Sequence, residues 1–480
     1  MARIIIPFVG GSALDENAQI NIQRAVNCYP IVGDGRVKAV RGTSGLASWY
    51  DLGTGAAVRG LWLGGNALLY AVSGGHLYEI TTVPAATDRG AVGSGTKPVS
   101  MEDNGTELVI VDEVAGYVYD FDSTALTAVA GIPTGGQLGS VDTYILATNP
   151  NDFEGTGQRE AFYISGPGDA LTWSALDYAS AEGYPDKIVT LMIGDRETWL
   201  LGERTCEIWE NTGGAFPFTR ISGTFSEYGI VAPFSAAEGE DSILWLSRDR
   251  RGEGRVVRTN GYQPQIISTD ELNYQIATYL ENDGDISDAI AFTYQQRGHV
   301  FYVLTFPTAS RTHVYDLTTG IWHERSSFVN GEDIRWRANC HAYFNGVHLV
   351  GGYDDGIIYQ LDPSTYTDAG GALRRIRQTQ VSNQNQLKIF MNRLGIRFRA
   401  GVGLVSGQGS NPQVMLQWSD DGNTWGNEVW RSIGAIGEYS WQTFWNRMGS
   451  FRNRWFRLMM TDPVPFDLVE AYADVDLGMM

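Results

Sequence analysis

Short apolar and aromatic runs recur down the chain, each followed by a polar or glycine-rich turn and a second run. The clearest are Leu68-Leu-Tyr-Ala-Val-Ser-Gly-Gly-His-Leu-Tyr-Glu-Ile80, Glu107-Leu-Val-Ile-Val-Asp112 with Gly116-Tyr-Val-Tyr-Asp120, and Val300-Phe-Tyr-Val-Leu-Thr-Phe306 with Thr312-His-Val-Tyr-Asp316. Each reads as a β-hairpin. An isolated hairpin is marginal in water, so such units must pack on one another. Seven candidates fall near residues 67–80, 107–121, 141–165, 197–210, 243–259, 299–316 and 347–361. Their spacing is that of four-stranded propeller blades with loop insertions, and it predicts an all-β propeller of six to seven blades over 46–378. No helical pattern alternates with the hairpins, which disfavours Rossmann and barrel folds.

The two ends read differently. Residues 1–45 form an N-terminal arm and ordered connection, with a short helix expected in Ser12 to Val26. After Tyr366-Thr-Asp-Ala-Gly-Gly371 the pattern shifts, and fresh strands at 394–400, 413–418, 455–460 and 468–475 predict a separate β-sandwich over 379–480. Alternation puts Leu394, Ile396 and Phe398 inward and Arg397 and Arg399 outward.

Fifty-eight glycines and an aromatic content of 12% suit tight turns between aromatic-rich strands. A net charge of −20 opposes a broad grip on nucleic acid or anionic membrane. Local basic clusters at Arg374, Arg375 and Arg377, and at Arg447, Arg452, Arg454 and Arg457, read as solvated or subunit-pairing surface before DNA contacts. Cys28, Cys206 and Cys340 are widely spaced and odd in number, so they read as buried thiols and not as a disulfide framework. Ile4-Ile-Ile-Pro-Phe-Val9 is too short for a membrane span or a persuasive secretion signal, giving an expectation of assembly in the cytoplasm.

Candidate chemistry is sparse. The six histidines make no HExxH, and Cys340-His341 would face opposite ways on a strand, so no metal or cofactor is expected. Carboxylates abound at Asp112, Glu113, Asp120 and Asp122, and again at Asp283, Asp285 and Asp288, but abundance alone does not set the two acids of a glycosidase about one bond, and the 283–288 stretch lacks the complete calcium-loop pattern. Trp418-Ser-Asp-Asp-Gly-Asn-Thr-Trp425 looks like a shortened relative of the Asp-box turn of sialidases. It is structural in kind: Asp421 caps the turn, Gly422 takes positive φ, and Trp425 anchors the hairpin on the core. There is no phosphate loop and no nucleophile elbow, and no catalytic residue is assigned.

Taken in order, several segments resemble the packaged-DNA stabilisation family, the tail hub or tail accessory proteins of short-tailed, P22-like bacteriophages. They include Asn27-Cys-Tyr-Pro30, Gly42-Thr-Ser-Gly-Leu46, Tyr70-Ala-Val-Ser-Gly-Gly-His-Leu-Tyr78, Leu200-Leu-Gly-Glu-Arg-Thr-Cys-Glu-Ile-Trp209, Tyr262-Gln-Pro-Gln-Ile-Ile-Ser268 and Gly320-Ile-Trp-His-Glu324. The resemblance implies a structural virion protein of the tail, not an enzyme. Six copies would form a ring below the portal and its adaptor and extend the DNA channel. That ring would retain packaged DNA without reading its sequence, and support a distal needle or plug and fibres or tailspikes. Trp430, Trp441, Phe444 and Trp445 are candidate anchors between subunits, with the sandwich core as their competing placement. The alternatives are a propeller glycosidase and a carbohydrate-binding attachment protein.

Overall fold

The computed structural model describes residues 2–14, 22–33, 36–151, 157–181, 183–184, 186–248, 252–382 and 387–478. The hairpins at the seven predicted sites become the two middle strands of seven antiparallel blades, with spans 58–91, 100–129, 139–180, 188–220, 237–266, 290–329 and 338–362. The first strand of each blade lies innermost, and these inner strands touch in sequence until Ala338–Phe344 meets Val58–Leu63 and closes the circle. The seventh blade takes its outermost strand from the start of the chain: Gly45–Asp51 pairs antiparallel with Ile357–Asp362, from Gly45 opposite Asp362 to Asp51 opposite Ile357. Closure by a strand so distant in sequence ties the two ends of the ring together.

Apolar clusters fill the space between every neighbouring pair of blades. In blade 2, Leu108 and Ile110 pack toward blade 1, while Val109 and Val111 pack toward blade 3. The middle strands are thus buried on both faces, which accounts for their near-continuous hydrophobic runs. One helix, Asp270–Asp283, follows blade 5. Thr269 caps its start, Gly284 ends it at φ 78°, and Leu272 and Ile276 fix it between blades 5 and 6. Its apolar stripe is short, so the hairpin spacing gave no hint of it.

The sandwich has two sheets. One orders Cys28–Gly33, Arg36–Gly42, Asp467–Leu477, Ile389–Phe398 and Thr443–Phe451, with Ala2–Ile5 beside Asp467–Leu477. The other orders Ile22–Val26, Arg375–Ser382, Asn453–Met460, Gln413–Ser419 and Val429–Ser432. Leu394, Ile396 and Phe398 point into the shared core, and Arg397 and Arg399 point out.

Three expectations change here. Residues 1–45 are not a separate arm: they supply strands to both sandwich sheets, because each sheet buries one face only when these strands complete it. The expected helix does not form in the described part of its span, which holds the strands Ala13–Leu14 and Ile22–Val26; residues 15–21 lie outside the described residues. The C-terminal sandwich strands begin at Arg375, earlier than 379.

The two modules are joined through a continuous sheet. Val26 pairs in parallel with Glu324 on the outer strand of blade 6, and Ile22–Val26 pairs on its other side with Arg375–Ser382. Asn27 sits fully buried at this seam with φ 52°, a left-handed conformation that asparagine tolerates better than most residues. Its Nδ2 donates to the carbonyls of Ser326 (2.9 Å) and Arg374 (2.8 Å), and its Oδ1 accepts from the Ser326 amide (3.1 Å).

Candidate functional site

Of the basic cluster at 374–377 only Arg374 reaches the surface, where it pairs with Asp333 at 3.1 Å. Arg375 and Arg377 are fully buried at the seam. Arg377 donates to the carbonyls of Phe8 (2.6 Å), Gly11 (3.0 Å) and Arg24 (3.0 Å) and to Oε1 of Gln23 (2.6 Å). Burial pulls both guanidinium groups down to about 10, which leaves them charged at neutral pH. Arg24 makes a charge-assisted pair with buried Glu324 at 2.9 Å. Arg377 and Arg24 hold the N-terminal strands against the propeller and sandwich, Arg375 donates to the Tyr366 and Asp462 carbonyls, and so engaged they offer DNA nothing. In the second cluster, Arg454 is buried on Asp420 and Arg457 lies 3.8 Å over the ring of Trp425.

The 418–425 turn is built by local hydrogen bonds. Oδ1 of Asp421 accepts from the amides of Asn423 (2.8 Å) and Thr424 (2.7 Å) and from the hydroxyl of Ser419 (2.7 Å). Those donors hold its carboxyl well below the usual range. Gly422 has φ 81°. Trp425 is half-buried beneath Arg457 and outside the sandwich core, so it anchors the hairpin by stacking on a guanidinium.

The four aromatic candidates separate. Trp445 is 1% exposed in the sandwich core, its indole donating to the Val429 carbonyl at 3.0 Å; it is a core residue and cannot touch a neighbour. Phe444 is half-buried under Arg393. Trp430 and Trp441 are 41% and 42% exposed. Trp441 is fixed by its indole bond to the Ser432 carbonyl (2.9 Å) and by contact with Gly434, where a Cβ would lie 2.8 Å from the Trp441 Cβ. Tyr439, 78% exposed, rests on Gly401 in the same way, and the neighbouring Ile436 is also exposed. Leu404 and Val405 extend this apolar edge, which sequence reading missed because single apolar residues in a Gly-rich loop carry no period. An ordered, exposed aromatic edge of this kind is what a binding surface requires.

Three carboxylates at the blade loops are committed to backbone. Asp112 accepts from the Val114 and Ala115 amides, Asp120 from those of Asp122 and Ser123, and Asp285 from that of Ser287. Asp283 ends the helix. No group of three or more metal-ligating side chains occurs among the described residues. All three cysteines are free; Cys28 and Cys206 are buried, and Cys340 is partly so. No helix among the described residues is long and apolar enough to cross a membrane.

Solved structures similar to this chain are propellers at very low identity. They include the computationally designed Ika8 protein (10% identity, TM-score 0.41, covering 67% of this chain and 100% of that one). The WD40 domain of Neurospora crassa Pan2 (10%, 0.39, 67% and 95%) is another. A catalytically inactive virginiamycin B lyase from Staphylococcus aureus with quinupristin also matches (11%, 0.44, 66% and 98%). Comparison with curated proteins gave no match. Two family models match in tandem: the β-propeller of bacteriophage P22 Gp10 over residues 4–366 and the β-sandwich of the same protein over 374–476. Together they take in almost all of the architecture described above, and the chain belongs to the bacteriophage P22 Gp10 family of phage structural proteins.

Proposed function

We propose that six copies of this chain form a tail hub ring below the portal and adaptor of a short-tailed phage virion. The ring extends the DNA channel, retains the packaged genome, and carries the distal needle or plug and the fibres or tailspikes. Membership of the Gp10 family across both modules is the observation that carries the reading. The physical design supports it. A closed propeller joined to a sandwich by a continuous sheet makes a stiff wall segment, and the Trp430, Trp441 and Tyr439 edge supplies an aromatic anchor for a neighbouring subunit. The net charge of −20 lets DNA pass without sticking wherever it faces the lumen. The chain acts as a structural component, and Asp112, Asp120 and Asp285 at its blade loops serve to cap turns.

Electron microscopy of the purified protein with and without the portal–adaptor assembly tests this. Six copies added as one distal layer support it. Persistent monomers that bind neither portal nor adaptor would overturn it.

A further inference from the structure

A cavity of about 480 Å³ opens at the end of the propeller where the innermost strands begin. Ala57, Lys97, Gly135, Phe234, Asp288 and Arg335 bring in walls from six different blades or the loops leading to them. Its volume falls within the range of small-ligand pockets, about 300–1,000 Å³.

Two side chains of this wall each leave a buried polar atom unpaired. Arg335 is only 8% exposed; its Nη2 donates to Oδ1 of Asn339 (2.8 Å), but its Nε is buried without a hydrogen bond. Its guanidinium lies 4.3 Å over the Tyr353 ring, and among the described residues no carboxylate is within ion-pair distance of it. Asp288 uses Oδ2 on the amide and hydroxyl of Thr308, while its Oδ1 is buried and unpaired. Arg59, on a second pocket that shares Pro98 and Asn339 with this one, has a buried and unpaired Nη2; its nearest carboxylate oxygen, on Asp112, is 3.8 Å away. Each buried unpaired polar group costs about 1–3 kcal/mol. Arg59 is otherwise engaged in holding the connection to blade 2, donating to the Lys97 and Gly93 carbonyls at 2.7 Å each, so Arg335 and Asp288 are the groups left to the cavity.

From these groups we propose that the cavity binds a hydroxylated carboxylate of sugar-acid type. The carboxylate meets the guanidinium of Arg335, which no carboxylate contacts directly, the hydroxyls donate to Asp288 and to Glu113, itself paired with Lys97 at 2.9 Å, and the half-buried Phe234 offers an apolar face to the ring carbons. A doubly charged phosphate suits the wall less well, because Asp112, Glu113, Asp285 and Asp288 all line it. The proposal stands whether or not the chain assembles into a ring.

The test titrates the full chain with D-glucuronate, D-glucose and inorganic phosphate by saturation-transfer NMR and calorimetry. Glucuronate is expected to bind saturably, and glucose and phosphate at least about tenfold more weakly. Arg335→Gln should weaken glucuronate by about tenfold or more. If that variant does not fold, Phe234→Ala at the cavity wall should weaken glucuronate by about threefold in a chain whose cooperative thermal melt shows that it still folds. Equal binding of phosphate would overturn the proposal. So would unchanged affinity in both variants, or no saturable glucuronate binding up to about 20 mM.

Discussion

Replacing Asn27 should loosen the seam between propeller and sandwich more than its size suggests. The side chain makes three short hydrogen bonds, two from Nδ2 to the Ser326 and Arg374 carbonyls and one accepted from the Ser326 amide, beside a longer one to the Ser326 hydroxyl (3.4 Å), all in a fully buried position. At about 1 kcal/mol each, their loss in Asn27→Ala costs about 3 kcal/mol. The φ of 52° adds about 1 kcal/mol, since a Cβ in the left-handed region is tolerated by asparagine and penalised in alanine. The expected total is about 4 kcal/mol. Asn27→Gly loses the same bonds but relieves the backbone, so it should cost about 1 kcal/mol less. Urea denaturation followed by tryptophan fluorescence reads both values. Limited proteolysis reads whether the sandwich now opens before the propeller, as loss of the seam predicts. A loss below about 1 kcal/mol in Asn27→Ala, or a glycine variant no better than the alanine one, would refute the assignment of Asn27 as the rivet of the seam.

Burial holds His313 down to about 4 and His323 and His341 down to about 3, so the native state refuses protons that the unfolded chain takes up near 6.5. Their stabilisation is therefore complete above about pH 6.5 and is lost as pH falls toward the folded values. The slope reaches at most about 1.4 kcal/mol per pH unit for each histidine, and His323→Met should flatten a pH series of urea midpoints by one such share. Glu102 has the opposite sign: burial, then Asp103, push its carboxyl up to about 8. Stability from its neutral form is present below about pH 4.5 and lost as pH rises toward 8, so Glu102→Gln should raise the midpoint at pH 8 and leave it unchanged at pH 4. The two exposures of the aromatic candidates predict different defects. Trp445→Ala should destabilise the sandwich by about 3–5 kcal/mol in thermal unfolding. Trp441→Ser should keep the fold and, in analytical ultracentrifugation of the assembled layer, lower the order of assembly; normal assembly would remove Trp441 from the interface.

Which parts of this molecule could be read from its sequence follows from how many faces each strand buries. The middle strands, such as Leu69–Ser73 and Glu107–Val111, are apolar at nearly every position because a blade lies on either side. Outer strands such as Ala86–Ala91 and Leu126–Val129 lie half in solvent and carry no continuous signal, so a blade shows in sequence only as its central hairpin. Strand pairings that span the chain are harder still. Gly45–Asp51 closes blade 7, and Ile22–Val26 bridges blade 6 to the sandwich, through partners about 300 residues away that no local pattern reveals. Buried charge misleads in the same direction. Arg375 and Arg377 look like a surface cluster because charge is usually solvated, yet Arg375 is held by the Tyr366 and Asp462 carbonyls, and Arg377 by carbonyls that become available only once the N-terminal strands have docked. The aromatic cluster failed as a unit for a simpler reason: on Thr443–Phe451 successive side chains face opposite ways, so Trp445 enters the core while Phe444 cannot follow it. Local hydrophobicity thus specifies the repeated units of this protein, whereas a few polar residues, Asn27 and Arg377 foremost, decide how the units are joined.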